Sequence, residues 1–234
     1  MKTSLLLAAV CFSAKTYAQQ QVIDVDKNPM PLSSRVFYTT GGQPFSTSKY
    51  VRLTSGSPYF SDSWMKGYLL TKDSVEYSGM LLKLDLLENL LIYLNDKNQE
   101  FVSSLPMRIV SLKDTVSNKK YIFTHSSSVP GAPDKEKAWY EILAQGKVFL
   151  YKQYAKSIYE SKAYASSITE QSVITDEKYF IGTGTQLIRV KKIKDIPSVL
   201  SDKKKELEMF INQNRLSGKT SNDYVLLIAY YNSL

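Results

Sequence analysis

WMKGYLLTKDSVEYSGMLLKLDLLENLLIYL, residues 64–94, is the stretch on which the fold turns, and FVSSLPMRIVSL follows it at 101–112. Little else in the chain is as dense in apolar side chains. Tyr68 to Leu70 is a short apolar run, and Thr71-Lys72-Asp73-Ser74 after it contains an Asp and a Ser of the kind that hydrogen-bond their own backbone in turns. Val75 and Tyr77 then alternate with Glu76 and Ser78, the two-residue period of a strand with one buried face. Gly79 suits a bulge or bend, where a residue without a Cβ fits best. A second apolar run, Met80 to Leu84, leads through Asp85–Asn89 as a turn into Leu90–Leu94. On this reading the stretch is a β-meander.

A helix is the alternative. Met80, Leu84, Leu87, Leu91 and Leu94 fall at steps of four and three, and Leu, Met, Lys and Glu all favour helices. Leu81, Leu82, Leu86 and Leu90 would make such a helix apolar nearly all round, and Asp85 and Asn89 bracket a plausible connection. Two strands are therefore the preferred reading, with one helix over 80–94 kept beside it.

Outward from this stretch, the N-terminus reads as an export signal. Lys2 precedes an apolar core from Leu5 to Phe12, and Thr16-Tyr17-Ala18 places small residues where signal peptidase needs them, so cleavage is expected after Ala18. Val10 is too large for the position before a lipidated cysteine, which leaves Cys11 inside the signal. Cys11 is the only cysteine of the 234 residues, so the mature chain holds no disulfide and depends on a packed core. No later apolar run reaches the roughly 18 residues of a membrane helix. The chain is 43% hydrophobic and 22% charged, too apolar for a disordered protein. Its formal charge of +8 is scattered, with Lys203-Lys204-Lys205 the only run of three, which reads as a solvated surface.

The expected organisation is a signal peptide at 1–18, an extended arm at 19–63, the meander unit at 64–125, a second β-rich unit at 136–194 and C-terminal helices at 195–234. The arm is rich in turn residues (Asn28-Pro29, Gly41-Gly42, Ser55-Gly56-Ser57-Pro58), with strand candidates at Arg35–Tyr38 and Lys49–Leu53. Beyond the meander, Met107–Leu112 and Tyr121–Thr124 read as strands around the charged loop 113–120. Ala138–Ala144 and Lys147–Tyr154 form a hairpin in which Gly146 is expected to supply a positive φ. Ala155 to Thr169 fits a strand or a helical face equally. Tyr179–Gly182 and Gln186–Val190 make another hairpin around Thr183-Gly184-Thr185. At the end, Asp195 or Ser198 caps a short turn, Leu207, Phe210, Ile211 and Asn214 share one helical face, and Ser221 or Asn222 caps a last helix bearing Tyr224, Leu227, Ile228 and Tyr231. The fold class is α+β: a β-rich body of antiparallel meanders and hairpins, barrel- or sandwich-like, under a C-terminal helical hairpin.

The order of landmarks, GSPYFSDSW, KGYLLTKDSVEYSG, LKLDLLENL, WYEILAQGKVFLYKQY, DEKYFIGT and LLIAYYNSL, resembles a family of secreted proteins of unknown function common in Bacteroidota. The likeness runs from about Ser55 to Leu234 and implies export and a shared fold, with no activity attached. A narrower likeness covers 73–89: Asp73 to Gly79, then Asp85 and Asn89, is similar to the first motif of Sm-like RNA-binding barrels, which implies a uridine pocket at Asp85 and Asn89. Ser74 stands where that family has Gly, no second motif accompanies Arg108, and an exported chain meets little RNA. No nucleic-acid partner is expected.

The residue inventory removes several chemistries. His125 is the only histidine and no thiol remains after cleavage, so serine triads, Cys–His pairs and the usual zinc sites each lack a required part, and neither a metal nor a cofactor is expected. His125 itself reads as a solvated loop residue. Paired carboxylates remain available among Glu76, Asp85, Glu88, Glu141, Glu170, Asp176 and Glu177, although no spacing singles out a pair. Gly182-Thr183-Gly184 is a weak phosphate motif, because a strand and not a helix follows it. The candidate binding surface is the basic and aromatic stripe Lys147, Tyr151, Lys152, Tyr154, Lys156, Tyr159 and Lys162, where Tyr gives flat apolar area and Lys gives charge. The structural reading of the same stripe is Tyr packed inside with Lys stems along the edge. The expected function is an exported, non-catalytic envelope protein, a binding or structural module for a glycan or a protein partner. An acid-pair hydrolase and an Sm-like nucleic-acid binder are the alternatives.

Overall fold

The computed structural model describes residues 32–33, 42–45, 50, 53–133, 137–162 and 169–234, and in it Met80 to Leu94 forms two strands, not one helix. β1 (Leu32–Ser33), β2 (Gly42–Pro44) and β3 (Leu53–Ser55) are short pieces of the arm. The meander is β4 (Met65–Thr71), β5 (Glu76–Asp85), β6 (Leu90–Leu94) and β7 (Glu100–Ser103). β8 (Met107–Lys113), β9 (Lys120–His125), β10 (Trp139–Ala144), β11 (Phe149–Lys162), β12 (Thr169–Gly182) and β13 (Leu187–Val190) continue the chain. They join one 13-stranded sheet in the order β13-β12-β11-β10-β9-β8-β4-β5-β6-β7-β2, with β1 beside β5 and β3 beside β12. The fold class is thus β-rich and mostly antiparallel with a helical C-terminus. Among the described residues the sheet stays open and does not close into a barrel. Arg35–Tyr38 and most of Lys49–Leu53 lie outside the described residues.

Burial along β5 shows why the strand period wins: Met80, Leu82 and Leu84 are at most 1% exposed while Leu81 between them is 37% exposed. Asp85 then ends the strand. Its carboxylate accepts from the Leu87 and Glu88 N–H groups at 3.0 and 2.9 Å, and Asn89 takes a left-handed φ of 59°. Those two residues force a turn in the middle of the helix-like pattern. Gly79, with φ 75°, is the bulge: the β4–β5 register passes from Gly67↔Met80 to Tyr68↔Ser78 and leaves Gly79 unopposed.

The meander and its neighbours enclose one core, including Leu69, Met80, Leu82, Leu91, Val110 and Phe123. Phe60 packs on it edge-to-face with Tyr121, Phe123 and Tyr154 at centroid distances of 4.8, 4.9 and 5.4 Å. A second core lies between the sheet and the helices α1 (Ile196–Val199), α2 (Lys204–Gln213) and α3 (Ser221–Ser233). Leu207 and Ile211 of α2 and Tyr224, Leu227, Ile228 and Tyr231 of α3 are buried there. Asn214 is instead the exposed C-cap of α2.

Local chemistry departs from expectation at three ends. Thr220, not Ser221 or Asn222, caps α3 by accepting from the Asp223 N–H, because the chain turns helical one residue earlier than the apolar pattern indicates. Asp195 makes no side-chain cap on α1, because its carboxylate turns back to accept from the Lys192 N–H at 2.9 Å. Gly146 does not adopt a positive φ; it is required because a Cβ would lie 2.5 Å from the Asn232 side chain. The ambiguous stretch after Ala155 continues as β11 to Lys162, paired residue for residue with β12 from Phe149↔Gly182 to Lys162↔Thr169.

Candidate functional site

Strand alternation divides the basic and aromatic stripe between two faces of β11. Lys152, Tyr154 and Lys156 share one face; Tyr151 and Tyr159 share the other; Lys147 is exposed in the turn before the strand, and Lys162 is exposed at the strand's far end. The proximal residues are enclosed. Tyr151 is 5% exposed, stacks on Phe149 and meets Tyr140 edge-on, and burial pushes its hydroxyl up to about 12.

Lys152, 6% exposed, is the centre of a buried polar network. Its Nζ lies 2.8 Å from Glu177 Oε1, donates to Ser221 Oγ at 3.1 Å and sits 4.5 Å from the Tyr154 ring centroid. Tyr154 donates its hydroxyl to Glu141 Oε2 at 2.6 Å. Burial raises the Glu141 carboxyl above its ordinary value, against the opposing pull of the Tyr154 hydrogen bond and the Lys152 charge. Burial and then Glu141 raise the Tyr154 hydroxyl strongly. Ser221 opens α3 and also meets the Tyr179 hydroxyl at 2.8 Å, while the Tyr179 and Tyr224 rings stack at 4.0 Å. The network therefore fastens the helical layer to the sheet, because desolvated charges hold only where each polar atom finds a partner. Lys156 donates to the Ser57 carbonyl at 2.8 Å, fixing the segment that carries Phe60. Desolvation lowers its ammonium below the usual range.

The distal half of β11 and β12 is different. β10 pairs with β11 only as far as Gln153, so the ribbon from Ala155 outward has β12 on one side and no strand on the other among the described residues. β3 lies against β12 at Gln171 and Ser172. Ile158, Tyr159 and Ile174 are 43%, 57% and 50% exposed. The register pairs Tyr159 with Ser172 and Ser157 with Ile174, which puts Tyr159 and Ile174 on one face as diagonal neighbours.

The acids do not act alike. Glu141 is covered, Glu177 is 48% exposed and neutralised by Lys152, and Glu170 and Asp176 are exposed on β12. Asp85 is fully buried, holding its turn and the Tyr50 hydroxyl. Asn89 accepts from the Trp139 indole N–H at 3.3 Å through its backbone carbonyl. Of the two polar positions of the Sm-like motif, the Asp85 carboxylate is thus spent on its turn and on Tyr50, while Asn89 serves the turn and the core through its backbone.

His125 is not the solvated loop residue the sequence suggests. It caps a 3-10 turn at Ser126–Ser128, accepts from the Ser127 N–H through Nδ1 and meets Trp139 edge-on at 5.2 Å. The sequence carries no signal for this, since Trp139 joins it only through β9–β10 pairing, Trp139↔His125. Among the described residues no group of three or more His, Cys, Asp and Glu is placed to hold a metal ion, and no helix is long and apolar enough to cross a membrane. Compared with known proteins, the chain matches no family model, no curated protein and no solved structure.

Proposed function

We propose that the chain is an exported binding module that recognises a protein partner through the outer half of the β11–β12 ribbon. The observation that carries this reading is the exposure of Tyr159 and Ile174 as diagonal neighbours on one face of the outer β11–β12 ribbon, with Ile158 exposed on the other face. Large apolar side chains gathered on a surface are the ordinary mark of an interaction site, and Tyr is favoured at such contacts. The buried Lys152 network holds the root of the ribbon, which limits the ordering cost of binding at its tip. The isoleucines favour protein over glycan, since a sugar-binding face needs polar groups around its aromatic platform.

Export is part of the same reading, supported by the Lys2, Leu5–Phe12 and Thr16-Tyr17-Ala18 pattern and by the resemblance to secreted Bacteroidota proteins. N-terminal sequencing of the exported chain should begin at Gln19. The function is tested by crosslinking in envelope extract with the wild type and with Tyr159→Ser/Ile174→Ser, both exposed changes that leave the core intact. Loss of a specific crosslinked protein in the variant is the expected result. An unchanged crosslinking pattern would remove the ribbon from consideration, and loss of a glycan in place of a protein would select the other partner class.

A further inference from the structure

The loop between β7 and β8, the start of β6 and the β9–β10 pair at His125 and Trp139 line a cleft of about 390 Å³. That volume lies within the roughly 300–1,000 Å³ typical of small-molecule sites. Leu90, Leu91, Leu105, Met107 and Trp139 give it an apolar wall; Ser103, Ser104, Ser127, His125 and Lys137 supply polar groups at its margin. None of its described lining residues is acidic.

The polar groups share one sign. Nδ1 of His125 lies 2.8 Å from the Ser127 hydroxyl oxygen and 3.3 Å from the Ser127 N–H, and because the N–H can only donate, the neutral tautomer that satisfies both contacts carries its proton on Nε2. Nε2–H has no protein acceptor among the described residues. Burial, then the Lys72 and Lys137 charges, lowers the imidazole below its ordinary value, so the ring is a neutral donor at pH 7. Lys137 lines the cleft, and the Lys72 backbone N–H donates to Pro106 of the lining at 2.9 Å. Neither lysine has a carboxylate partner among the described residues. A half-buried imidazole and the Lys137 ammonium beside an apolar wall, with the Lys72 charge close enough to act on His125, match a ligand with an anionic head and an apolar body.

We infer that this cleft is a binding site for a small monocarboxylate with an apolar body, its carboxylate held by His125 and Lys137 and its body against Trp139, Leu105 and Met107. The site is separate from the ribbon and stands or falls without it.

Calorimetric titration of the full mature chain with benzoate and hexanoate, each beside its neutral amide, tests the inference. At least one carboxylate should bind with a Kd of about 1 mM or tighter, and its amide should bind at least about tenfold more weakly. Lys137→Gln should weaken carboxylate binding about three- to tenfold without changing amide binding. Ser104→Trp, at an exposed margin position, should obstruct the cleft and abolish binding while the melting temperature stays at the wild-type value. Preference for benzoate or for hexanoate identifies the body as aryl or alkyl. Absence of binding by both carboxylates, equal binding of acid and amide, or undiminished binding by Ser104→Trp would each overturn the assignment.

Discussion

The side-chain amide of Asn232, near the end of α3, forms a two-bond ladder with Val148. It accepts from the Val148 N–H at 3.0 Å and donates to the Val148 carbonyl at 3.1 Å, as a neighbouring strand residue would. The last turn of the chain thereby satisfies both backbone groups of a residue only 4% exposed. Asn232→Ala leaves that donor and acceptor buried without partners and should cost about 2–3 kcal/mol, read as a lower urea midpoint at unchanged slope. Gly146→Ala should cost a similar amount by displacing the same amide, and the two losses should fall well short of additive in the double variant.

The Lys152–Glu177 pair is asymmetric, with Lys152 buried and Glu177 48% exposed. Removing the acid strands an ammonium inside the protein, whereas removing the lysine leaves Glu177 to water and leaves Glu141, already raised by burial, to take up a proton. Glu177→Gln should therefore destabilise by about 1–2 kcal/mol and Lys152→Met by less, the reverse of what equal shares in the pair would give. Paired denaturation curves decide it, and a larger loss in Lys152→Met would contradict the burial argument.

Glu141 gives a pH dependence of defined sign. A carboxyl raised by burial contributes stability that is complete below its ordinary value of 4.5 and is lost as pH climbs through the raised folded-state value. Glu141→Gln keeps an acceptor for Tyr154 and removes the titration. The stability of wild type relative to this variant should thus decline with rising pH across that window, and a difference independent of pH would count against a desolvated acid at this position.

Two glycines of the meander are irreplaceable for different reasons. A Cβ on Gly67 would lie 2.0 Å from Leu82 Cδ1 in the core, whereas one on Gly79 would meet nothing within 4 Å. Gly67→Ala should cost about 3 kcal/mol through overpacking. Gly79→Ala should cost about 1–2 kcal/mol, from its positive φ alone. Thermal melts of the two single variants separate the steric from the conformational cost.

How far the sequence reaches is visible in particular residues. Val75 to Tyr77, Gly79 and the Asp85/Asn89 turn state the meander locally, so alternation and turn chemistry suffice to find it. The long β11 does not announce itself, because Ala155, Ile158 and Tyr159 fit a helical face as well as a strand, and its partner β12 settles the matter only in three dimensions. The stripe was legible as a surface of Lys and Tyr. Its division into a buried root and an exposed tip depends on where β10 ends and on Ser221, Glu177 and Glu141 arriving from elsewhere in the chain. His125 and Trp139 are brought together by register, which no local pattern encodes.

The strand order has a kinetic corollary. Within the path from β4 to β13, every neighbour in space is also a neighbour in sequence except at one seam, where β4 meets β8 through contacts such as Leu69↔Val110. Two zippers of successive hairpins can each grow from local turns, at little loop-closure cost, and a single long-range docking event joins them. That junction is the natural rate-limiting step. Weakening Leu69 or Val110 should slow refolding, while weakening the terminal β12–β13 pairing at Ile181 should chiefly hasten unfolding.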